Sequence, residues 1–280
     1  MTSCISKDPR TILTFECVET AVRKDKGNDF KLLSFEVRDF TKEGDNYLSF
    51  VTSVLSQVEN AKTGEKEEIS YIAKLNPCKS SQSSDKSTNK MFLHECKILT
   101  HVIPLFNSVL LEQGEKPLAI PTCLYASCEE GKEILILNDL RKAGFKMMDG
   151  KEEIKITHKE LVMKELAMLH AASYVSEHKN DAIPLDKKFS FLEKTPISVD
   201  SEMAKSYASL IDSQIECTIK VLQKIKGYTH AIDILKKLRN RSLEIYFRYF
   251  EVLPIDNKFR SFCHEDCWKN NLLFRLVLNF

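Results

Sequence analysis

Apolar residues recur at helical spacing from Thr11 to Asp25, and this pattern predicts an N-terminal amphipathic helix. Three runs rich in Val, Ile, Phe and Tyr follow, at Lys31 to Phe40, Leu48 to Val58 and Glu68 to Leu75, and each reads as a strand. Thr41 to Tyr47 separates the first two and Asn60 to Gly64 the second pair; both linkers carry hairpin-turn residues, so the runs predict an antiparallel meander. Lys79 to Lys90 is polar and low in complexity, which predicts a mobile surface loop. A long helix is expected from Met91 to Gln113, broken or kinked at Pro104, where the ring removes a donor. Two further strands are predicted at Thr122 to Ser127 and Glu133 to Leu137, joined through Glu129-Glu130-Gly131. Asn138 to Glu153 is polar and is the expected boundary between two lobes. Thr157 to Glu251 reads as helix throughout, opened by a capping box of Thr157 and Glu160. Within it a second helix is expected from Asp200 to Lys226 and a third from His230 to Phe250. The sum is an α+β chain with a β-rich lobe over residues 1–137 and a mainly helical lobe over 138–280.

Composition narrows the class without naming a chemistry. A chain of 280 residues with 43% hydrophobic and 29% charged residues supports an ordinary globular core. A net charge of +1 gives no electrostatic reason to expect nucleic acid or an anionic membrane as partner. The nine cysteines are scattered and odd in number, against a disulfide framework. No secretory pattern opens the chain and no apolar run is long enough to span a bilayer, so the expected location is the cytoplasm.

Chemistry concentrates near the C-terminal end, in Phe262-Cys263-His264-Glu265-Asp266-Cys267-Trp268-Lys269-Asn270-Asn271-Leu272-Leu273-Phe274. His264-x-Asp266 with Asn271 five residues beyond the Asp has the spacing of a phosphotransferase catalytic loop. Its bland reading is a polar turn between strands. Other parts stand in the required order. Lys74 lies in the third strand of the meander, and Glu95 on the following helix is its candidate acidic partner. Either alone is more commonly a solvated charge. A G-x-G-x-x-G loop is absent; Gly44-Asp45-Asn46 in the first hairpin turn offers backbone amides in its place. The spacings of Cys263, His264, Cys267, Cys123 and Cys128 are not those of a zinc ribbon, and no G-x-S-x-G elbow occurs.

In sequence the chain resembles the ecdysteroid-kinase-like (CHK-kinase-like) family, related to choline and aminoglycoside kinases. The matching stretches are Gly44-Asp45-Asn46-Tyr47, the Lys74 strand, Phe92-x-x-Glu95, Leu137-Asn138-Asp139-Leu140 with Gly144-Phe145, Leu169-His170-Ala171-Ala172-Ser173 and the His264-x-Asp266-x-Trp268 loop. The resemblance implies a bilobal protein-kinase-like fold and ATP- and Mg2+-dependent phosphorylation of a small-molecule hydroxyl on an ecdysteroid-like acceptor. It implies Asp266 as catalytic base, His264 as its buttress, Asn271 as metal ligand, Lys74 on the phosphates and Glu95 orienting it. Gly44, Asp45 and Asn46 would cradle phosphate, and Leu137, Asp139 and Leu140 would belong to a hinge whose backbone reads the adenine. His170, on an apolar helix, reads as a core histidine.

Two departures from that pattern set further expectations. Glu265 stands where the family has glycine; at positive φ it would strain the loop by about 1–3 kcal/mol. No Asp or Glu follows Asp266, so the family's metal-binding Asp-Phe-Gln segment is missing and an incomplete helical lobe with impaired transfer is expected. The competing class is a non-catalytic nucleotide-binding or interaction protein, or a truncated gene product. The apolar run from Leu272 to Phe280 is expected to lack a pairing partner.

Overall fold

The computed structural model describes residues 8–39, 49–76, 84–149, 152–179, 183–193, 202–242, 244–245 and 260–275. Helix α1 (Phe15–Lys26) opens with Thr14 as its cap, whose Oγ1 accepts from the Cys17 N–H. It buries Cys17, Val18, Ala21 and Val22, the face that helical spacing predicts. Strands β1 (Phe30–Asp39), β2 (Phe50–Asn60) and β3 (Lys66–Leu75) form the expected antiparallel meander. The β2–β3 turn is built as its sequence requires. Asn60 Oδ1 accepts from the N–H groups of Lys62 and Thr63, and Gly64 takes φ 73°.

Two more strands, β4 (Cys123–Ser127) and β5 (Ile134–Asn138), complete a five-stranded antiparallel sheet of order β1-β2-β3-β5-β4. Alternation divides its faces. Val54, Val58, Tyr71, Ala73 and Leu75 pack with α1 and with Leu124, Ile134 and Ile136. On the opposite face Ile72, Leu135, Leu137 and Cys123 pack against Phe92 and Cys96 of helix α2 (Ser84–Lys97).

Helix α2 begins within the predicted loop. Its first turns are polar and extend the amphipathic segment, while residues 79–83 lie outside the described ones. The break at Pro104 takes a specific form: a π-helical turn at Ile98–Val102 leads into α3 (Ile103–Glu112), with Pro104 in the first turn. The helix is continuous here, and the wider π turn, with Ile103 N–H reaching back to Ile98 O, takes up the bond that proline cannot make.

Asn138 to Glu153 holds more structure than its polarity suggests. A 3-10 turn spans Leu140–Ala143, and β6 (Lys146–Met147) pairs with β7 (Leu273–Phe274). Leu273 and Phe274 therefore have a partner, correcting that expectation; residues 276–280 lie outside the described ones. Helix α4 (Ile156–His178) starts one residue before Thr157, so Thr157 is no cap. The Lys155 N–H is accepted instead by His158 Nδ1.

Contacts divide the chain into Met1–Ala182 with Ser261–Phe280, and Ile183–Arg260. The second unit contains α5 (Leu185–Lys188), α6 (Glu202–Leu222) and α7 (Thr229–Leu238). Helix α7 ends at Leu238, helical residues resume at Ser242, and residues 246–250 of the expected helix lie outside the described ones. Asn240 turns the chain at φ 66°, and Asp212 Oδ1 on α6 accepts from Asn240 N–H and Ser242 Oγ. Among the described residues no helix is long and apolar enough to cross a membrane.

Candidate active site

Lys74 occupies the penultimate position of β3, directly opposite Val51 of β2. Strand alternation places it on the face that α2 covers. Its ammonium meets Glu95 of α2 in a two-pronged ion pair, 2.6 Å to Oε1 and 2.8 Å to Oε2. The side chains are 24% and 39% exposed, so each charge remains accessible while its direction is fixed. Helix α2 is seated for this pairing. Phe92 and Cys96, three residues before and one after Glu95, are buried in the sheet-facing core. One and a half turns earlier, Asn89 Oδ1 accepts from the side-chain amide of buried Asn76, at the end of β3. Neither asparagine belongs to the expected site; no motif marks them.

The stretch expected to serve as hinge follows β5. Leu137 is buried within the strand, and Leu140 opens the 3-10 turn. The Asp139 carboxylate is only 2% exposed and accepts from Ser70 Oγ at 2.6 Å, Arg141 Nε at 2.8 Å, Arg141 Nη2 at 2.6 Å and the Arg141 N–H at 3.0 Å. Burial pushes this carboxyl upward, yet the bonds from Arg141 and Ser70 and the guanidinium charge hold it below its ordinary range. Its side chain is committed to fixing the turn. Gly44, Asp45 and Asn46 lie outside the described residues.

The catalytic-loop motif folds as a chain of short-range bonds. Asp266 N–H is received by His264 O at 2.8 Å and by His264 Nδ1 at 3.3 Å, and Trp268 N–H by Asp266 O at 3.1 Å. Asn271 ends a 3-10 turn (Lys269–Asn271), and its Nδ2 donates to Asp266 O at 2.9 Å and Oδ2 at 2.7 Å. Both partners are acceptors, so the amide nitrogen faces Asp266 and the Asn271 carbonyl oxygen is turned away from it. Lys269 binds the backbone carbonyls of Asp149 and Glu152, tying the loop to the segment before α4.

Two buried groups support the loop from below. Ser173 Oγ on α4 accepts from Phe262 N–H at 2.6 Å, and the Phe262 ring meets Phe106 of α3 edge-on at 5.7 Å. Ser173 and Phe106 are fully buried, whereas His170 is only partly so. The sequence marks Ser173 only as the last residue of the Leu-His-Ala-Ala-Ser helix; its role as anchor is not legible there.

Glu265 takes φ 61° in this loop, so the glycine departure falls at a left-handed position. Its carboxylate acts electrostatically on His94, the neighbour of Glu95 in α2. Burial holds the His94 imidazole below its ordinary value, and Glu265 opposes that shift. Loop and α2 thus lie within electrostatic reach of one another.

Asp266 and Asn271 carry the hard oxygens that magnesium takes, but the Asn271 carbonyl oxygen is turned away from Asp266. Among the described residues no three His, Cys, Asp or Glu groups converge to hold a metal. A magnesium ion held here would take most of its ligands from water and phosphate rather than from the protein.

Comparison with curated proteins and with solved structures returned no significant match. The sequence profile of the ecdysteroid kinase-like family matches residues 43–278, well over half of the chain and both halves of the site just described, and the chain belongs to that family, one of kinase-like small-molecule phosphotransferases.

Proposed function

We propose that this protein binds ATP with magnesium and phosphorylates a hydroxyl group of a small, lipophilic acceptor of the steroid type. The observation that carries the reading is the Lys74–Glu95 ion pair, on the strand and helix where a phosphate-binding lysine and its orienting carboxylate are required. In this reading residues 1–137 form the lobe that holds the nucleotide and 138–280 the lobe bearing the catalytic loop. Lys74 holds the α- and β-phosphates while Glu95 fixes its direction. The backbone of Leu137 to Leu140 borders the base, and the Gly44-Asp45-Asn46 turn lies over the phosphates. Magnesium, when bound, offsets charge that develops on the phosphoryl oxygens. Asn271 would be its protein ligand, and Asp266 would accept the proton of the attacking hydroxyl. His264, by accepting from the Asp266 backbone, keeps that carboxylate in place.

Titration of the purified chain with a fluorescent ATP analogue, with and without Mg2+, tests the nucleotide step. Binding that requires Mg2+ and is lost in Lys74→Met supports the reading; absence of saturable binding overturns it. Phosphate transfer is then assayed against a panel of hydroxylated steroids, with Asp266→Asn as control. Nucleotide binding without transfer to any acceptor identifies a non-catalytic nucleotide-binding protein instead.

A further inference from the structure

We propose that Arg141, held in a closed ring with Asp139, Ser53 and Ser70, is the residue that determines how tightly the base of the nucleotide is bound. The proposal rests on the nucleotide reading above. The ring closes through four links: Arg141 Nη2 donates to Ser53 Oγ at 3.1 Å, Ser53 Oγ lies 3.3 Å from Ser70 Oγ, Ser70 Oγ donates to Asp139 Oδ2 at 2.6 Å, and Asp139 receives Arg141 through Nε and Nη2. It joins β2, β3 and the turn after β5, three segments that no local sequence relation connects.

Position gives the ring its meaning. Ser70, Ile72 and Lys74 alternate along β3 and share a face, and Ser53 stands opposite Ile72. The ring therefore lies on the Lys74 face, four residues from Lys74 along β3, a span of roughly 13 Å at strand rise. That is about the length of a nucleoside monophosphate. With phosphates on Lys74, a nucleotide laid along this face places its base beside Arg141.

The chemistry of the group agrees with that placement. Ser53, Ser70 and Asp139 are buried, but the Arg141 side chain is 45% exposed. A guanidinium whose edge is hydrogen-bonded to a carboxylate is fixed in plane, and such a plane stacks on an aromatic base. Lysine carries the same charge but reproduces neither the fork nor the plane. Desolvation of Asp139 makes the ring rigid as well, since its lone pairs are filled from within the protein.

Affinities for ATP and for tripolyphosphate, each with Mg2+, separate the base from the phosphates. In Arg141→Lys we expect ATP binding to weaken on the order of tenfold, the range for loss of one base-stacking contact, with tripolyphosphate affinity unchanged. Ser53→Ala frees one corner of the ring without touching Asp139, and a smaller loss with the same selectivity is expected. Equal weakening for both ligands, or none for either, overturns the proposal, because a general structural defect does not distinguish a base from a phosphate. If Arg141→Lys does not fold, the Ser53→Ala comparison decides by the same criterion. A wild-type chain that binds tripolyphosphate but gains nothing from the nucleoside overturns the ring's role alone. A wild-type chain that binds neither overturns the nucleotide reading with it.

Discussion

At Glu265 the backbone holds a side chain in a conformation where a Cβ meets the neighbouring carbonyl, a cost of about 1–3 kcal/mol for a non-glycine residue. We expect Glu265→Gly to raise the unfolding free energy by about 1 kcal/mol in denaturant titration, glycine's greater freedom when unfolded offsetting part of the relief. Glu265→Val, with a branched Cβ, should lower it by a similar amount. The change to glycine also removes the charge that raises His94, so the imidazole should titrate further below 6.5, as NMR would read directly. A histidine depressed in the folded state contributes fully above its unfolded value and loses that contribution as pH falls toward the folded one. Buried His94 thus makes the fold less stable below about pH 6.5. For Asp139 the sign is that of a carboxylate held down: its contribution is present above the ordinary value of 3.8 and is lost as pH falls below it. Asp139→Asn removes charge assistance from the bonds to Arg141 and should cost about 2 kcal/mol at neutral pH while flattening the acid limb of the stability profile. Single residues were the most legible scale where a motif names them: Lys74, Glu95, Asp266 and Asn271 stand in the sequence in order, and the ion pair and the Asp266–Asn271 bond are formed. Asn76, Asn89, Ser53, Ser70 and Ser173 were not legible, because a buried polar residue is defined by a partner distant in sequence.

Helices α3 and α4 carry the loop from Phe262 to Asn271 through one side chain each, and this makes them separable. Phe106 is fully buried and touches Phe262; truncation to alanine should cost about 3–5 kcal/mol and loosen the loop together with the core. Ser173→Ala leaves the Phe262 N–H without its acceptor for about 1–2 kcal/mol. If the loop alone shifts, nucleotide affinity should hold while any transfer rate falls, and comparing the two constants in one preparation checks it. Strands β1 to β3 and helix α1 were readable because alternation and the 3.6 period each mark a single buried face. Helix ends were harder. The polar first turns of α2 carry no apolar stripe, and α7 ends at a turn closed by Asp212, a residue on another helix. The β6–β7 pair escaped notice since two residues of strand are too short for any period.

At the scale of the whole molecule, burial sorts the seven thiols among the described residues into two classes. Cys17, Cys96 and Cys123 are buried, while Cys128, Cys217, Cys263 and Cys267 are exposed. Burial also pushes Cys96 and Cys123 toward the protonated, unreactive thiol. Under native conditions a water-soluble thiol reagent should modify the exposed four promptly and the buried three only at the rate of unfolding, as peptide mass mapping would follow. One loop near the C-terminus and one pair near the N-terminus suggest the chemistry; the sheet order that brings distant segments together has no local signature.

That sheet order also dictates a sequence of assembly. Strands β1, β2 and β3 pair with their neighbours in the chain, and such hairpins close in microseconds. The pairing of β3 with β5, from Tyr71 opposite Asn138 to Leu75 opposite Ile134, must first bring together ends separated by α2, α3 and β4. Closure entropy rises with the length so enclosed, and contacts distant in sequence are slow to reward it. Lys74 lies on the near side of that closure, opposite Leu135, and Glu95 within the segment it encloses. Docking of β5 therefore traps α2 against the sheet, and the Lys74–Glu95 ion pair is completed by the same slow event that finishes the sheet.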